Sequence, residues 1–258
     1  MDTQSTKRLP GRVGLAAGVM LLLMAGLAAF GYVVAVDGLI TPGDAVRTTH
    51  DLLASRGLFA AGILCLAVVL VLDVLVAWTL YLFFKPVNRA GAMLAAMLRT
   101  GYAALYAVAL SQLVVVLRLL DDGGVSAAPG GGELPGQVVA GIGRFTDLWN
   151  VGLILFGLSL LVLGWLGFTS GTVPKLIGVL LAVAGVGYVL DSAVALASPG
   201  SWTPVSTYTF VGELVFALWL VSRGRRARTR ERRMVDDALP RPVPDTSPAA
   251  AAVDAAAS

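Results

Sequence analysis

The chain is short of most of what a soluble enzyme uses. It has one cysteine, Cys65, and one histidine, His50. A single cysteine excludes a disulfide framework and a Cys-based zinc site. Cys65 also falls inside a long apolar run, where it reads as a small packed residue. One histidine on a polar loop reads as a solvated or interfacial side chain rather than a metal ligand or proton carrier. Charge is scarce as well, at 14% of residues against the usual quarter. There is no His-Glu-x-x-His, no Gly-x-Ser-x-Gly and no Cys/His cluster, and Gly167-Phe168-Thr169-Ser170-Gly171 puts its serine in the wrong place for an elbow. Gly130-Gly131-Gly132 lacks the Lys-Ser/Thr of a phosphate loop, has no strand before it, and reads as a flexible connector. No catalytic residue, metal or cofactor is expected.

What the chain has instead is apolar length. Hydrophobic residues make up 57%, mean hydropathy is +0.82, and six long apolar runs lie near 13–36, 58–84, 92–120, 148–169, 175–197 and 204–222. Each meets or nearly meets the ~20 residues that carry a helix across a bilayer core. The expected fold is therefore all-α: a polytopic membrane bundle of six transmembrane helices with two short interfacial helices. A short N-terminus (1–11) precedes the transmembrane domain (12–222), and a basic tail that becomes disordered from about 234 follows (223–258). The first run follows positive residues as a signal peptide would. Its length is about twice a normal h-region and it has no clear cleavage site before Asp37, so it reads as a retained helix.

The basic residues assign sides. Lys7, Arg8 and Arg12 precede the first run, Lys85 and Arg89 separate the second and third, and Lys175 lies between the fourth and fifth. Arg223, Arg225, Arg226, Arg228, Arg230, Arg232 and Arg233 follow the last. The other connectors carry Arg47, Arg56, Arg118 and Arg144 among several acids. Lys/Arg enrichment in short loops marks the cytoplasmic side, so both termini are expected there, in a cell-membrane protein. An arginine cluster just inside a span sets topology and meets anionic lipid headgroups rather than nucleic acid.

Two outer connectors hold short helices. Thr41-Pro42-Gly43-Asp44 turns the chain, and Asp44 can cap a helix over Ala45 to Ser55 lying on the membrane surface. After Pro135-Gly136, the helical spacing of Val138, Val139, Ile142 and Phe145 predicts a second one leading into the fourth span. Small residues suited to close helix contact recur: Gly14 and Gly18, then Gly157, Gly164 and Gly167, then Gly185 and Gly187. They pack helices within one bundle or between copies of the chain, the latter giving a homo-oligomer.

Four residues are costly where they sit. Asp73 and Glu213 lie near the middle of the second and sixth runs, and Asp191 in the outer half of the fifth. A carboxylate at bilayer depth costs ~3 kcal/mol even on the lenient insertion scale, so each should face the bundle interior, paired or protonated. Arg99 is the natural partner of Asp73, with an axial offset of roughly 6 Å at a rise of about 1.5 Å per residue. The alternative has Arg99 snorkelling to headgroups. Arg118 is expected to form a surface salt bridge with Asp121 or Asp122. Asp73, Arg99, Asp191 and Glu213 either anchor helix register or line a polar cavity for a proton, ion or small solute, with Tyr188, Ser192, Tyr208 and Asn150 nearby. Asp73 and Asp191 differ in estimated depth by more than about 10 Å, too far for an aspartyl pair. Val71-Leu72-Asp73 recurs as Val189-Leu190-Asp191, in the opposite span direction that an inverted repeat requires.

The order of several motifs resembles a known family. Thr41-Pro42-Gly43-Asp44, Leu52-Leu53-Ala54-Ser55, Asp73, Lys85-Pro86-Val87-Asn88-Arg89 and Leu98-Arg99 follow one another as in a bacterial integral membrane family catalogued as domain of unknown function 4386. Phe156-Gly157-Leu158, Val173-Pro174-Lys175, Ile177-Gly178-Val179-Leu180 and Gly187-Tyr188 before Asp191-Ser192 continue the likeness, which covers about residues 10–197. The family pattern often has a histidine near the start of the fourth span. Trp149 stands there in this chain, which puts in doubt any proton or metal role at that position. The resemblance implies the membrane fold and, since the family carries no assigned activity, no function.

Overall fold

A computed structural model describes residues 11–121, 134–198 and 204–238, and every regular element among them is helical. Helix α1 (Gly11–Ala28) widens into a π-type turn (Ala29–Val34), and a 3₁₀ turn (Asp37–Leu39) follows. Next come α2 (Ala45–Ala54), α3 (Arg56–Phe84), α4 (Arg89–Asp121), α5 (Leu134–Thr169), α6 (Lys175–Ala197), the single turn α7 (Ser206–Thr209) and α8 (Val211–Ala238). The Gly130–Gly132 connector, Asp122, the N-terminal basic residues Lys7 and Arg8, and the tail beyond 238 lie outside the described residues. The basic stretch from Arg223 does not leave the fold as coil: α8 continues through it to Ala238.

Local chemistry sets the boundaries. The Asp44 carboxylate accepts a hydrogen bond from the Arg47 N–H at 2.8 Å, satisfying one of the orphan donors that open α2. Gly43 takes φ +79° in the turn before it, a conformation that costs other residues about 1–2 kcal/mol. Thr48 ties the helix back to the turn, accepting from the Thr41 N–H and donating to the Thr41 carbonyl. Asn88 accepts from the Gly91 N–H and opens α4, while Pro86 and Pro174, which cannot donate, sit in the breaks before α4 and α6.

Five of the helical segments are long and apolar enough to cross a bilayer: Gly11–Leu39, α3, α4, α5 and α6. Their outward side chains are large and apolar, with Leu64, Met97, Trp78 and Leu176 each more than half exposed. A belt of that kind belongs in lipid, and the protein is a multi-pass helical membrane protein. The sixth expected crossing differs in form. Residues 204–222 break between α7 and α8, and the apolar part of α8, from Val211 to Val221, rises only ~17 Å against a core of ~30 Å. The second surface helix is not separate either; its residues form the first turns of α5. The short helix α2 packs on α5 and buries Leu52 and Thr48.

The long helices close into a ring. α1 packs on α3, α3 on α4, α4 on α5, α5 on α6, α6 on α8, and α8 back on α1. Glycines make the tightest seams. A Cβ on Gly157 would lie 2.7 Å from the Gly185 carbonyl oxygen and one on Gly185 2.6 Å from that of Gly157; Gly164 and Gly178 repeat the reciprocal contact two turns away. Between α1 and α8, a Cβ on Gly18 would lie 2.8 Å from the Ala217 carbonyl oxygen. Apolar burial drives little association in lipid, so such backbone contact supplies the dispersion that holds the ring.

Candidate functional site

Inside the ring lies a cavity of ≈ 370 Å³ to which all six long helices contribute. Its polar end holds three of the four costly residues. Asp73 on α3 and Arg99 on α4 are almost wholly buried, and the Arg99 Nε donates to Asp73 Oδ1 at 2.6 Å. Arg99 therefore does not snorkel. Its guanidinium also lies over the Phe156 ring, 4.9 Å from the centroid. Glu213, in the first turn of α8, lines the same cavity within the electrostatic reach of both Asp73 and Arg99. The Tyr188 hydroxyl is its near neighbour. Glu213 is half-buried and lines the cavity.

Asp191 is not part of this group. Its two oxygens accept from the Val205 N–H at 2.9 Å and the Ser206 N–H at 2.6 Å, so it fixes the start of α7. Asp73 and Asp191, which the short repeat would equate, thus hold unrelated partners. Of the neighbours expected from the sequence, Tyr188 lines the cavity, whereas Ser192, Tyr208 and Asn150 do not. Asp121 pairs with Arg56 across the α3–α4 ends rather than with Arg118. His50 is exposed on α2 beside Asp51, and no group of three or more His, Cys, Asp or Glu suited to a metal occurs among the described residues.

Apart from Tyr188, the aromatic residues of the walls were not picked out as cavity groups from the sequence. Tyr32, Trp149, Tyr106, Tyr102, Phe156 and Tyr188 form an unbroken chain of ring contacts, with successive centroids 4.6, 6.4, 5.8, 5.0 and 5.1 Å apart. The Trp149 indole N–H donates to the Tyr102 hydroxyl at 3.3 Å, and Trp149 is a wall of the cavity. Periodicity carried a usable clue: Arg99, Tyr102 and Tyr106 recur at i, i+3 and i+7, one helix face. Once Arg99 points inward, both tyrosines must follow it.

Among the described residues, Arg12, Lys85, Arg89, Lys175 and Arg223 share one end of the bundle. The Arg223 guanidinium donates to the Thr172 carbonyl at 3.1 Å in the α5–α6 turn, and Gly224 closes on Gly11 and Leu15 of α1.

Comparison with known proteins follows the same lines. The model of the family described as domain of unknown function (DUF4386) matches residues 16–224. An uncharacterized protein of Archaeoglobus fulgidus is 31% identical over 158 residues, covering 61% of this chain and 80% of that protein. No solved structure matches.

Proposed function

The chain belongs to the DUF4386 family, which carries no assigned activity, and we propose from the site itself that it is a non-enzymatic membrane protein binding a small solute in its central cavity. One observation carries the reading: the cavity joins Glu213 to the Asp73–Arg99 pair instead of leaving the carboxylates sealed in separate contacts. Its volume lies in the range of small-molecule pockets, roughly 300–1,000 Å³, and its mostly apolar wall with a few convergent polar groups is the usual composition of such sites. A purely structural subunit needs the Asp73–Arg99 anchor but has no use for Glu213 beside an open space.

In the same reading the protein sits in the cell membrane with both termini cytoplasmic. In it α7 and α8 make a sixth crossing, a reading supported by the packing of α8 on α1 and α6. The arginines from Arg223 onward meet anionic headgroups. The experiment is a solute screen by thermal denaturation of the full chain in nanodiscs, run beside Ala28→Trp, which fills the cavity. A solute at about 100 times its Kd stabilises by ~2.7 kcal/mol. At least one compound is expected to raise the Tm of the wild type and not of the filled variant. A flat screen, with Ala28→Trp simply more stable, contradicts a binding role.

A further inference from the structure

Resting on that reading, we infer that the cavity takes a lipophilic organic cation, an ammonium group on an apolar body, with Glu213 as counter-charge and the aromatic chain as its wall. Charge comes first. Asp73, Glu213 and Arg99 are the carboxyl and guanidinium groups that line the cavity, so acids outnumber bases there. The one cation is already committed, to Asp73 at 2.6 Å and to the face of Phe156. No Lys or Arg forms an ion pair with Glu213 among the described residues, where its near neighbour is the Tyr188 hydroxyl. An anionic ligand would have to displace Asp73 from Arg99 and then face Glu213. A neutral one would leave Glu213 to be held protonated rather than paired.

The wall agrees. Aromatic faces attract ammonium groups through the ring quadrupole, more strongly where water is excluded. Six linked rings offer such faces, and Arg99 over Phe156 shows one of them already holding a cation. The remaining surface, from Leu21, Met24, Leu66, Val69 and Leu153, suits an apolar body. The mouth agrees too. The exposed members of the lining are Ala29 and Val33 of the π-type turn and Phe210 just before α8, all apolar. A ligand passing them sheds little hydration beyond that of its charged end.

The test is equilibrium binding to the full chain in phosphatidylcholine nanodiscs, with benzyltrimethylammonium, benzyl alcohol and phenylacetate as probes of similar size and different charge. The expected result is saturable binding of the cation, one per chain, at least tenfold tighter than either other probe. Glu213→Gln should weaken it at least tenfold, while Leu64→Ala on the outer face leaves it unchanged. Should Glu213→Gln not fold, Ala28→Trp must abolish saturable cation binding while the lining charges remain. Preferred binding of phenylacetate or benzyl alcohol overturns the cation assignment and leaves the solute cavity standing. Binding of none of the three also overturns it, and the cavity is then judged by the broader screen alone.

Discussion

Two carboxylates meet in one cavity with different duties. Asp73 is spent on Arg99 at 2.6 Å, both groups nearly inaccessible, whereas Glu213 has a hydroxyl neighbour and open space. Removing one member of a buried pair leaves an uncompensated charge and costs about 3–5 kcal/mol. Asp73→Asn should therefore lower the Tm sharply, and the double replacement Asp73→Leu with Arg99→Met should recover most of the loss. Asp191 is a cap rather than a ligand-facing acid, so Asp191→Ala should cost ~1–2 kcal/mol in chemical denaturation and leave probe binding within a factor of two. The sequence exposed these acids because charge is so costly at their depth. It did not show which acid goes with which partner, since that depends on helix rotation, and rotation in turn is set by packing. Arg99 illustrates the gap: pairing and snorkelling fit the sequence equally, and the α3–α4 contact decides.

Helix identity was legible from apolar length, and the α2 cap from Asp44. The reciprocal glycine contacts between α5 and α6 were half legible. Gly157, Gly164 and Gly185 stand out in the sequence, but Gly178 becomes meaningful only when the antiparallel register places it against Gly164. At this scale Gly157→Leu or Gly185→Leu must separate two backbones and should destabilise by at least ~3 kcal/mol, the upper range for overpacking. Gly26→Ala, with nothing within 4 Å of its added Cβ, should be neutral or slightly stabilising. Equal losses at Gly26 and Gly157 would remove the seam from the account. The break between α7 and α8 was not legible, because hydropathy averages across a kink and sees one run.

For the whole molecule, the proposed topology has six crossings and both termini cytoplasmic. With Cys65 replaced by alanine, single cysteines at Ser258 and at Gly171 should be labelled from the cytoplasm and one at His50 from outside; labelling of Ser258 and His50 from the same side would contradict a sixth crossing. The cavity itself was not visible in the sequence, since its aromatic wall comes from four helices distant in the chain. The account is tested most directly by thermal denaturation of wild type, Asp73→Asn and Glu213→Gln in nanodiscs, each with and without benzyltrimethylammonium. It predicts that Asp73→Asn unfolds well below wild type, while Glu213→Gln unfolds near wild type and no longer responds to the cation. A strongly destabilised Glu213→Gln, beside an Asp73→Asn that remains as stable as wild type, would reverse the assignment of anchor and binding group and contradict the account.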